Sequence, residues 1–149
     1  MTINTMTKSP VQNLYQTDFA LWIQNTVNKL KSQDFSHVDW ENLIEEIEAL
    51  GGRDRRELES RLTTLFEHLL KRHYVSLPEC YRGWDVTISR TQQELKRIFR
   101  DSPSLRNYYL TVSDECYQDA VRNMSKEYDT KFPEDCPFPK EIDSLLTTN

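Results

Sequence analysis

The sequence predicts an all-α protein: an antiparallel helical bundle of about five principal helices, with a Pro-rich C-terminal strap. Three observations carry this. Apolar residues recur at helical spacing in five successive segments, no stretch alternates in strand fashion, and only three glycines and six prolines punctuate 149 residues. A chain of this length buries roughly 70% of its unfolded surface, enough for one core without metal or disulfide.

The elements follow in order. Residues 1–14 lack periodicity and read as a flexible arm, leaving residues 15–149 as a single helical domain. From Asp18, the apolar positions Phe19, Trp22, Ile23, Val27 and Leu30 form a stripe that predicts a core-facing helix, with Thr17 as its cap. In SHVDWENLIEEIEALGG, Asp39 is the expected N-cap and Val38 can staple onto Leu43. Trp40, Leu43, Ile44, Ile47 and Leu50 line one face of that second helix. Gly51 or Gly52 then predicts a left-handed stop and a tight reversal. A third helix runs from about Asp54 to Tyr74 on a Leu58, Leu62, Leu65, Phe66, Leu69 stripe. The stretch SLPECYRG reads as a loop in which Gly83 re-aims the chain, and a fourth helix covers about Trp84 to Arg100. Ser102 as N-cap and Pro103 at the first helical position start a fifth helix, whose pattern fades after Met124. Three prolines within KFPEDCPFPKEIDSLL make the tail extended, closed by a short helix over about Lys140–Leu146.

Charge is unevenly spread. The net charge is −5, but residues 32–52 carry six acids and no Lys or Arg, while residues 53–106 carry twelve bases against eight acids. Glu41, Glu45 and Glu48 fall at i, i+4 and i+7, where like charges cost about 0.2–0.5 kcal/mol per pair in an isolated helix. Arg61, His68 and Arg72 form a second strip on the next helix. A hairpin would bring the two strips together as an interhelical salt-bridge seam, a ligand or partner site, or a metal site. Glu-x-x-His and H-E-x-x-H spacings are both absent, so no metal is assigned.

Other chemistries find little support. No G-x-S-x-G elbow occurs, three glycines cannot write a phosphate-binding loop, and no cofactor signature is present. Three cysteines without a C-x-x-C pair predict reduced, structural thiols, with Cys116 in the core. Arg90, Lys96, Arg97 and Arg100 lie away from the apolar stripe of the fourth helix and form a candidate nucleic-acid surface. A solvated helix face gives the same pattern, and the preceding helix is too long for a helix-turn-helix. No apolar run approaches the roughly 20 residues that span a bilayer, and the N-terminus has no signal-peptide pattern. The expected location is cytoplasmic, with no membrane partner.

The run DWENLIEEIEALGGRDRRELESRLTTLFEHLLK resembles a bacterial family known as domain of unknown function 29. Asp18, Phe19 and Trp22 open the same pattern. Arg82 with Trp84, Thr87–Ile88, DSPSL at 101–105 and FPEDCPF at 132–138 continue it in order. The resemblance covers about residues 15–142 and implies a small all-helical protein to which no agreed biochemical activity attaches. Its matched polar positions include Asp39, Glu41, Glu45, Glu48, Arg61, His68, Arg82 and Ser102, without assigned roles. The chain departs from the pattern at Arg72–Tyr74, at Gly83 and after Glu127.

Taken together, these features predict a non-enzymatic protein-interaction or regulatory module that acts through a protein partner or self-association. The alternatives are a nucleic-acid-associated regulator, of the kind found in toxin–antitoxin pairs, and a ligand- or metal-dependent enzyme at the Glu41/Glu45/Glu48–His68 seam.

Overall fold

A computed structural model describes residues 10–149, with side chains from Leu14 onward. Among these residues there are helices and no strands: α1 (Pro10–Thr17), α2 (Phe19–Lys31), a 3-10 turn (Phe35–His37), α3 (Trp40–Tyr74), α4 (Pro78–Asp101), α5 (Leu105–Glu127) and α6 (Ile142–Leu145). The all-α expectation holds. Part of the expected N-terminal arm, from Pro10, is helical instead; residues 1–9 lie outside the described residues.

The described residues divide into two compact units, with the boundary between Gly51 and Gly52. In the first, Asp18 rather than Thr17 caps α2, its carboxylate accepting the Leu21 N–H at 3.1 Å. Tyr15, Phe19 and Trp22 cluster edge-on and stacked, with ring centroids 4.8–5.7 Å apart. The Tyr15 hydroxyl donates to Glu46 Oε2 at 2.7 Å, tying α1 to α3. That hydrogen bond to a carboxylate, more than burial, pushes the Tyr15 phenol up to about 12.

The left-handed residue of this unit is Gln33, at φ 61°. Its N–H bonds Leu30 O, and the Asp34 N–H bonds Lys29 O at 2.8 Å, the paired bonds of a Schellman motif that ends α2. Asp39 acts as the expected cap of α3, accepting from the Asn42 N–H at 3.4 Å and its side-chain amide at 2.6 Å. Gly51 and Gly52 do not stop that helix. Both are helical, neither has a positive φ, and the expected second and third helices are one, α3.

The second unit is a three-helix bundle. Arg61 pairs with Glu94 and Arg72 with Asp85, so α3 and α4 run antiparallel. Tyr108 bonds Glu59 and Asn123 bonds Glu67, so α5 runs parallel to α3. The predicted stripe residues Leu58, Leu62, Leu65, Phe66 and Leu69 are all buried, and Ile88, Leu95, Tyr109, Cys116 and Ala120 meet them. Two boundaries move. Pro78 opens α4 as its first-turn proline, so Gly83 lies within a helix instead of a loop. The fifth helix begins at Leu105 after a turn in which Leu105 N–H bonds Ser102 O; Ser104, not Ser102, is its cap residue.

The segment between α5 and α6 is non-helical and sends Phe132 and Phe138 into the core. Tyr117 and Tyr109 hold it, donating to Pro133 O at 2.7 Å and Lys140 O at 3.0 Å. Buried Gln92 donates to the carbonyls of Leu145 and Thr148, which docks the short α6 against α4.

Candidate functional site

The first unit buries little of what it could. Among its described residues only Trp22, Thr26 and Val38 are buried. The stripe expected to face a core is exposed: Phe19, Ile23 and Val27 on α2, and Trp40, Ile44, Ile47 and Leu50 on α3, at 40–58%. That corrects the reading of both helices as core-facing along their whole apolar stripe. Trp40 is held in place by its indole N–H, which donates to Phe35 O at 2.9 Å, and the two rings lie 6.3 Å apart.

Beside that apolar row, Glu41, Glu45 and Glu48 are exposed, and none of them makes an ion pair among the described residues. Gly51 and Gly52 continue α3 in place of the expected reversal. The three basic positions find partners within the second unit. Arg61 reaches Glu94 Oε2 at 2.8 Å and Glu57 at 3.8 Å. Arg72 meets Asp85 at 2.9 Å with its guanidinium 4.1 Å above the Tyr81 ring. His68 donates from Nδ1 to Thr64 O at 2.9 Å, one turn back on its own helix.

Burial holds His68 below the ordinary histidine range, outweighing the hydrogen bond to Thr64, which pulls the other way. A base with a depressed folded pKa is neutral in the fold, whereas the unfolded chain takes up the proton near 6.5. Stability contributed by neutral His68 is therefore present at pH 7.5 and is lost as pH falls through that value. Urea unfolding at pH 7.5 and 5.5 is expected to show this loss. His68→Gln is expected to narrow the difference between the two conditions; an unchanged difference would contradict it.

On α4, Arg90, Lys96 and Arg97 are exposed and make no ion pair among the described residues, and Arg100 meets its exposed neighbour Asp101 at 3.4 Å. A shallow cleft of about 310 Å³ lies between α3 and α4, lined by Asp54, Glu57, Arg61, Glu94 and Arg97. It mixes both signs of charge. Among the described residues no three His, Cys, Asp or Glu side chains gather closely enough to hold a metal ion. No helix among them is long and apolar enough to cross a membrane. Cys80, Cys116 and Cys136 are unpaired, and burial pushes the Cys116 thiol up to about 11, far from an activated thiolate.

The feature that sequence reasoning missed is the exposed row on α2 and α3. Its signal was the acidic edge: three glutamates beside an apolar row, with no nearby bases to pair with.

No curated protein and no solved structure matches this chain. The sequence model of one family, Domain of unknown function DUF29, matches residues 14–149, nearly the whole length, and the chain belongs to that family.

Proposed function

We propose that this protein is a non-enzymatic interaction module whose docking face is the exposed apolar row of its first unit. The observation that carries the reading is an imbalance among the described residues of that unit: three are buried, against seven exposed large apolar side chains on two helical stretches. Helical segments of this size gain most of their stability from packing an amphipathic face, so an uncovered face is a site for a partner. Three unpaired thiols fit a reducing, cytoplasmic setting.

The test is a native pull-down of the tagged chain, with and without nuclease, read by mass spectrometry. A stoichiometric, nuclease-resistant protein partner is expected with the wild-type chain. It should be lost with Ile44→Asp/Ile47→Asp, two exposed positions whose change is expected to leave the helical circular dichroism intact. Retention of the partner by that variant would overturn the reading.

A second reading rests on the exposed Arg90, Lys96 and Arg97 of α4, which have no ion pair among the described residues, with Arg100 beside them. These residues could neutralise a few phosphates of a nucleic acid, giving weak and salt-sensitive binding. Recovery that collapses on nuclease treatment and on Arg90→Ala/Arg97→Ala would favour it over the apolar face.

A further inference from the structure

We infer that the partner segment which covers the exposed apolar row of α3 is a basic amphipathic helix. This rests on the interaction reading above and adds the chemistry of the partner. Trp40, Ile44 and Ile47 stand at i, i+4 and i+7, the spacing of an apolar stripe along one side of a helix, against which the apolar face of a second helix can pack. Glu41, Glu45 and Glu48 repeat that spacing one residue later and so run alongside the row for its whole length. All three are exposed and unpaired among the described residues, unlike Glu46, which is engaged by Tyr15.

Residues 10–51 hold seven carboxylates against two lysines, both at the C-terminal end of α2. Charge decides between occupants. A second copy would bring the same acidic edge to the same row and be repelled. A nucleic acid or an anionic lipid surface would meet the same repulsion and could not fill an apolar row. A helix with leucine-like residues along one face and Lys or Arg beside them satisfies both halves of the surface: the row is dried and the glutamates gain counter-charges.

The protein contains its own reporter. Trp22 and Trp84 are buried, at 1% and 9% exposed, and Trp40 is the exposed tryptophan, at 45%. Two synthetic helical peptides with an identical leucine row, one with Lys and one with Glu on the polar face, would be titrated into the full chain. The Lys peptide is expected to blue-shift the Trp40 emission and to bind at least about tenfold tighter than the Glu peptide. That advantage should shrink between low and high salt, since exposed charges are screened. Glu41→Lys/Glu45→Lys/Glu48→Lys should reverse the preference, and Ile44→Asp/Ile47→Asp should abolish the shift for both peptides.

Equal binding of the two peptides, or binding of neither while the pull-down partner still depends on Ile44 and Ile47, would overturn the charge inference and leave the docking face standing. Binding of neither, with a partner indifferent to Ile44 and Ile47, would remove both. A concentration-dependent blue shift without peptide, matched by dimers in sedimentation, would assign the face to a second copy and overturn the proposal.

Discussion

Phe66→Ala is expected to lower the unfolding free energy by about 3–5 kcal/mol, the range for deleting a fully buried aromatic side chain from a well-packed core. Phe66 is 1% exposed on α3, and its ring meets Tyr117 edge-on at 5.5 Å and Phe138 in a stack at 6.3 Å. The lost side chain therefore opens a cavity between three parts of the second unit: α3, α5 and the non-helical segment after α5. Tyr117 is doubly engaged, because its hydroxyl also donates to Pro133 O at 2.7 Å and burial pushes its phenol up to about 12. Collapse of Tyr117 into the cavity would break that bond, so the site cannot relax cheaply. Urea unfolding of the variant measures the loss, and hydrogen exchange is expected to quicken over residues 128–141 before it does in α3. A loss below about 1 kcal/mol would mean that neighbouring side chains fill the space, and that the ring contacts are not the fixed core they form here.

Most of that second unit was legible in the sequence, for a definite reason. Its apolar residues repeat at helical spacing on three helices that fully cover one another, so periodicity and burial agree at Leu58, Leu62, Ile88, Leu95 and Cys116. The first unit was less legible because the same periodicity occurs without the cover. Phe19, Ile23, Ile44 and Ile47 obey the pattern of a core helix, yet all four are exposed. Periodicity reports that a helix has an apolar face; it does not report whether the other side of that face comes from the same chain. The left-handed residue was also misplaced. Gln33 takes φ 61°, a conformation that sequence rules assign to Gly or Asn, while the glycines that invited it stay helical.

Gly51 is where that ambiguity can be settled by the sign of an effect. A glycine in a helix interior costs about 0.5–1 kcal/mol relative to alanine, because the unfolded chain loses more freedom there. An added Cβ at Gly51 meets nothing within 4 Å, so Gly51→Ala is expected to stabilise the protein by that amount. At Gly52 the same Cβ would come 3.1 Å from the Arg56 guanidinium, a flexible end that can swing away, and a smaller gain is expected. Proline is the opposite probe. At position 51 it removes the N–H that bonds one turn back and crowds the carbonyl of residue 47, so Gly51→Pro is expected to cost about 3 kcal/mol and to lower the helical circular dichroism. A left-handed turn at Gly51 would invert the alanine result, since a side chain at positive φ is strained. The spacing already favours the continuous helix: Trp40, Ile44, Ile47, Gly51, Asp54 and Leu58 fall in steps of four and three without a break. A true stop interrupts that rhythm, and here the pair of glycines does not.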